Sequence, residues 1–151
     1  MTALLRYLED IEVGSAFALG HYEMVAEEVE DFRRRWDPGT MHTDGGASPA
    51  DSDQPVACGV HSIAVQQLLA YRGALDDWAI VAGRRLREVA FRAPVRAGMV
   101  LSGELVVDEI MARSASTGVV VFTVFLRHGD QVVLRVTHET IMLWRLPRDR
   151  E

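Results

Sequence analysis

Asp37 and His42 stand five residues apart in the stretch WDPGTMHTDGG, residues 36–46. A neutral imidazole accepts a proton from water near pH 7, and a carboxylate can share or orient the same water. Two such groups on one loop can converge on a single water molecule. The plainer reading is that Asp37 turns the chain after a helix and that His42 is an ordinary loop histidine. Asp44 extends the run to H-x-D, a pattern compatible with a metal. No third ligand follows at the spacing that zinc motifs use, so no metal is expected here.

A second constellation is VACGVHSIAVQQLL, residues 56–69. A glycine at the start of a buried helix leaves backbone N–H groups free and lets a ligand approach closely. The N-terminal end of a helix favours negative charge, so Gly59 marks a place that can hold an oxyanion. Alternatively, Gly59 is only a tight helix entry whose free groups His61 and Ser62 satisfy. Cys58 beside it reads as a small core residue rather than as a nucleophile. Farther on, Arg84, Arg85, Arg87, Arg92 and Arg96 crowd one strand and its turn. They read either as a solvated strand face or as a seat for phosphates, which guanidinium forks bind well. His21, His128 and His138 carry no pattern that points to chemistry.

These residues must be positioned by regular elements. Residues 16–22 suit a first strand. Residues 26–36 read as a helix: Val29, Phe32 and Trp36 share a face, acidic residues come early, and Arg33, Arg34 and Arg35 come late, as the helix dipole prefers. No Ser, Thr or Asp precedes Ala26 as a cap. Pro38 ends the helix near Trp36 or Asp37. Residues 37–57 form a long loop rich in Gly, Asp, Ser and Pro, and loops of that length inside compact domains are usually functional or mobile. Residues 59–71 read as a helix apolar on most sides, expected to be buried.

The rest reads as strands: 84–91, a turn at 94–98, then 100–111, 118–127 and 131–144. The 100–111 strand puts Leu101, Gly103, Leu105 and Val107 on one face, and Gly129-Asp130 centres a hairpin turn. Long antiparallel strands with one hydrophobic helix predict an α+β fold, a strongly curved sheet wrapped around that helix.

The bulk properties bound the function. A chain of 151 residues suits one domain, 1–151, with a real core. Its net charge of −6 argues against nucleic acid as the main partner. The longest apolar run, around Val56 to Ala70, is interrupted by polar residues, so no membrane span is expected. MTALLRYLED lacks the pattern of a signal peptide, and a lone Cys58 permits no internal disulfide; the expected compartment is the cytoplasm. The chain contains no Lys and no Asn. Schiff-base chemistry on lysine and a P-loop are therefore both excluded.

Four motifs in order, YLEDIEVGSAF (7–17), FRRRWDPGTMHTD (32–44), ACGVHSIA (57–64) and FRAPVRAG (91–98), make the chain resemble the MaoC-like dehydratases, hotdog-fold proteins related to R-specific enoyl-CoA hydratases. The resemblance runs roughly from Tyr7 to Trp144. It implies a single hotdog domain with residues 59–71 as the central helix. It also implies a homodimer, because one hotdog leaves a sheet edge and half a site for a partner to complete.

By the same resemblance, Asp37 and His42 match the catalytic pair that activates water. Gly59 matches the helix-start glycine whose N–H polarises the thioester carbonyl, and Ser62 lies near a hydroxyl that supports the site. The implied reaction is reversible hydration of a trans-2-enoyl-CoA, or dehydration of a 3-hydroxyacyl-CoA. No separate cofactor is implied, since coenzyme A enters as part of the substrate; Arg84, Arg85, Arg92 and Arg96 become candidates for its phosphates. The chain departs from the family in two places. It has Asp37-Pro38-Gly39-Thr40-Met41-His42 where the best-characterised hydratases carry D-x-N-P-x-H, and Met99 stands where Asp is common. Two other readings therefore stay open: a non-catalytic acyl-CoA-binding or partner-subunit protein, and a thioesterase that directs water at the carbonyl.

Overall fold

The computed structural model describes residues 4–39 and 54–147. A short 3-10 turn at Leu8–Asp10 leads into β1 (Ala16–Glu23) and α1 (Ala26–Trp36). After the segment 40–53 come α2 (Gly59–Gly73), a 3-10 turn at Leu75–Asp77, and four strands. These are β2 (Ile80–Phe91), β3 (Val100–Ala112), β4 (Thr117–His128) and β5 (Gln131–Leu143). All pairings are antiparallel, in the order β1-β3-β4-β5-β2. The sheet holds α2 against its inner face, which is the hotdog arrangement.

Alternation builds this core. Val120, Phe122, Val124 and Leu126 of β4 and Leu134, Val136 and Met142 of β5 are buried on the helix side, where Leu101 and Leu105 of β3 join them. The hairpin between β4 and β5 is the expected one, with Gly129-Asp130 alone between the strands. Gly129 has a φ of +59°, and among the described residues no non-glycine residue takes a positive φ, the pattern of a type II′ turn. Helix α1 spans the residues expected, and Val25 at its N-cap makes no side-chain capping bond.

Two expectations need correction. The strand read as 84–91 begins at Ile80, because Ile80 and Ala82 already pair with Met142 and Ile141 of β5. Helix α2, apolar on most sides, is expected to be buried. Instead it buries His61, Ser62, Val65, Gln66, Leu69 and Ala70, while Val60, Leu68 and Tyr71 remain exposed. One five-stranded sheet covers only one side of a helix, so apolar residues on the other side of α2 are left open. The contacts of α2 run to β1, β3, β4 and β5. Beyond them β2 is an edge strand, with Val81, Leu86 and Phe91 exposed.

Close approach fixes the helix on the sheet. A Cβ on Gly73 would lie 2.5 Å from the Leu19 Cα, and one on Gly103 would lie 3.0 Å from the Leu19 Cβ. Leu19 is thus wedged between the end of α2 and the middle of β3. Inside, His138 of β5 bonds to Gln66 of α2 at 2.9 Å and stacks on Phe122, with ring centres 4.8 Å apart.

Candidate functional site

Asp37 caps the C-terminal end of α1, its N–H donating to the Arg33 carbonyl at 2.9 Å. Its side chain is half-buried. Arg33, one turn earlier, was read as a late-helix cation facing the dipole. The structure buries it: its guanidinium pairs with Glu30 at 3.3 Å, and Nε and Nη2 have no hydrogen-bond partner among the described residues. His42, with Thr40 and Asp44, lies outside the described residues.

The end of α1 is clamped to the start of α2. Phe32 stacks on His61 with ring centres 4.4 Å apart and planes 5° from parallel. Phe32 is five residues before Asp37, and His61 is two after Gly59. The stack therefore holds the C-terminal half of α1 against the first turn of α2. Burial pushes the His61 imidazole below its ordinary pKa, with the Glu28 carboxylate opposing, so the ring is neutral near pH 7. His61 is buried and its Nδ1 has no hydrogen-bond partner among the described residues.

The first turn of α2 is open. Cys58 at the N-cap makes no side-chain capping bond, and neither His61 nor Ser62 caps the end with its side chain. The His61 and Ser62 N–H groups donate to the Cys58 carbonyl, at 3.1 and 3.3 Å. The Gly59 N–H makes no hydrogen bond among the described residues. This turn borders a cavity of about 520 Å³ lined by Gly59, Ser62, Phe91, Arg92, Pro94 and Val133, among others. The lining is mostly apolar, with one hydroxyl, one guanidinium and a free helix end, as suits a site for an extended apolar ligand with a polar head.

Backbone bonds hold the walls. Arg92 N–H donates to the Val133 carbonyl at 2.9 Å, and Ala57 N–H to the Val95 carbonyl at 2.8 Å. Val56 and Arg96 form an isolated bridge beside them. In the turn after Pro94, Met99 Sδ accepts the Arg96 N–H at 3.4 Å. The turn is also tied to the end of β1, with Met24 N–H donating to Met99 and Gly98 N–H to Met24.

The candidate arginines divide. Arg92 lines the cavity and Arg96 bridges Val56 beside it, but Arg84 and Arg85 are not among its lining residues. They gather with Arg87 around the carboxylate of Glu139. Arg85 Nη2 and Arg87 Nε bond it at 2.9 and 2.6 Å, and Arg84 Nε approaches to 3.7 Å. Glu139 is 1% exposed, and the hydrogen bonds from Arg85 and Arg87 hold its pKa down at about 2. Arg84 and Arg85 thus have a counter-ion in Glu139. Cys58 is a buried free thiol at the helix cap. His21 and His128 are exposed, away from the cavity lining. Among the described residues no cluster of three His, Cys, Asp or Glu could hold a metal, and no helix is long and apolar enough to cross a membrane.

Sequence reading missed Phe91. It appears in the chain only as the residue before Arg92-Ala93-Pro94, with nothing to show that the turn folds its ring against Gly59.

No family model and no curated protein matches the chain. Solved structures do match. A monoamine oxidase regulatory protein from Archaeoglobus fulgidus superimposes with a TM-score of 0.84 and 19% identity, over 95% of this chain and 97% of that one. A MaoC-like dehydratase from Rhodospirillum rubrum gives 0.79 and 22%, over 96% and 99%. An (R)-hydratase from A. caviae involved in PHA biosynthesis gives 0.66 and 17%, over 90% and 99%. The chain has the hotdog fold that these MaoC-like dehydratases and R-hydratases share.

Proposed function

We propose that this protein adds water reversibly across the double bond of a trans-2-enoyl-CoA, and in reverse dehydrates a 3-hydroxyacyl-CoA. The observation that carries the reading is the clamp between helices: the Phe32–His61 stack holds α1, which ends at its C-cap Asp37, against the uncapped start of α2, which lines a cavity. The matching fold of the MaoC-like dehydratase and the (R)-hydratase supports it.

In this reading the thioester oxygen sits at the Gly59 N–H. As hydroxide character attacks C3, electrons move through C2 onto that oxygen, and a fixed N–H at a helix N-terminus stabilises the charge. Asp37 and His42 remove the proton from water and return one to C2, so the net change is H and OH across the double bond. Ser62, three residues further along α2, supports the oxygen. Arg92 is the strongest candidate for a coenzyme A phosphate, with Arg96 behind it. A second copy of the chain completes the site by covering the exposed side of α2 and the β2 edge.

Product analysis tests the reaction. Incubation with trans-2-butenoyl-CoA should give 3-hydroxybutanoyl-CoA with no release of free thiol, and Asp37→Asn should abolish it. Thiol release instead would make the protein a thioesterase. Tight acyl-CoA binding with neither product would make it a binding protein.

A further inference from the structure

Phe91 ends β2 and is 58% exposed, yet its ring lies against the start of α2. A Cβ on Gly59 would stand 2.7 Å from both Cε1 and Cζ of that ring, well inside contact distance. The ring therefore fills the space where any side chain at position 59 would go. Its backbone cannot back away easily, because the next residue, Arg92, is bonded to Val133 and the turn beyond it to Ala57. Phe91, Gly59 and Ser62 line one cavity.

We propose that Phe91 sets substrate specificity by walling the C2 position of the bound thioester, so that the site takes 2-enoyl thioesters with hydrogen at C2 and rejects those with a methyl branch there. This rests on the hydration reading above. With the thioester oxygen at the Gly59 N–H, the carbonyl carbon and C2 are the substrate atoms beside Gly59. The ring that leaves no room for a methyl group on Gly59 is then the nearest protein surface to C2. Apolar pockets separate substrates that differ by one such group by about 10–200-fold.

The test compares kcat/KM for hydration of trans-2-butenoyl-CoA and trans-2-methyl-2-butenoyl-CoA. Wild type, Phe91→Ala and Phe91→Leu are measured, with thermal melts alongside. Truncating a half-exposed ring opens no core cavity, and the Leu variant keeps an apolar wall. Wild type should favour the unbranched thioester by about tenfold or more. Phe91→Ala should bring the ratio toward one, and Phe91→Leu should fall between. A wild type without preference, or the same ratio in wild type and Phe91→Ala, overturns the role of Phe91 and leaves hydration standing. No turnover of either thioester by wild type overturns the hydration reading and this inference with it.

Discussion

At the scale of single residues, the interior is set by a few polar groups whose state depends on burial. His138 is the clearest. Burial lowers its pKa to about 4, so the folded protein holds it neutral, bonded to Gln66. An unfolded chain protonates the same histidine near 6.5. Its contribution to stability is therefore fully present above about pH 6.5 and is lost as pH falls toward 4. Between pH 7 and pH 5 the loss should be about 2 kcal/mol, since each pKa unit is worth about 1.4 kcal/mol. Urea unfolding at the two pH values measures it, and in His138→Gln the difference should shrink to a small remainder. An equal drop in both proteins would assign the acid sensitivity elsewhere. Glu139 behaves differently. Its depressed pKa makes its contribution present above about 4.5 and lost only as pH falls toward about 2, so the two groups titrate in separate windows. Neither behaviour was legible in the sequence. A histidine or glutamate that alternates with apolar residues along a strand is ordinary, and only the neighbouring strands reveal what it faces.

At the scale of elements, what was legible follows from what is local. Helix α1, the Gly129-Asp130 hairpin and the start of α2 at Gly59 are written in short stretches of chain: an acidic-to-basic gradient, a two-residue turn, and a glycine before an apolar run. The fate of the arginines is not local. The register of β2 against β5 slips between Gly83 and Arg85 and again between Leu86 and Glu88. Each slip breaks the simple alternation of faces. Counting by twos therefore fails on this strand, and Arg84, Arg85 and Arg87 all reach one carboxylate. The fit of α2 on the sheet is likewise non-local, since Gly73 meets Leu19 across more than fifty residues of chain. Gly73→Ala would drive a methyl group against the Leu19 backbone, which cannot rotate away. Overpacking of that kind should cost about 1–3 kcal/mol. Denaturant unfolding of this variant would show it, and a change within error would mean that the end of α2 moves freely.

At the scale of the whole molecule, one chain leaves an apolar surface open. Val60, Leu68 and Tyr71 lie on the uncovered side of α2, and Val81 and Leu86 lie along the edge strand. An unpaired edge beside exposed apolar residues is a surface that proteins cover. The account therefore expects a species of twice the 16.8 kDa chain in sedimentation or light scattering. Leu86→Asp should dissociate it, because the substitution puts a charge into the covered face. A wild-type monomer at micromolar concentration would remove the second copy from the site. The α+β architecture, a curved sheet wrapped around one hydrophobic helix, was legible at this scale, because long alternating strands around such a helix have few ways to pack. The one-sided burial of α2 was not, because the chain does not say whether its own sheet or another copy covers an apolar face.

The central claim is that the loop from Asp37 and the open end of α2 form a site that moves water. The most direct measurement mixes the purified protein with trans-2-butenoyl-CoA and follows the absorbance of the conjugated thioester, with His42→Ala alongside. The account predicts loss of absorbance with wild type and none with His42→Ala, both proteins melting alike. Equal loss from both proteins would contradict the role given to His42. No loss from wild type with short and medium chains would contradict the claim itself.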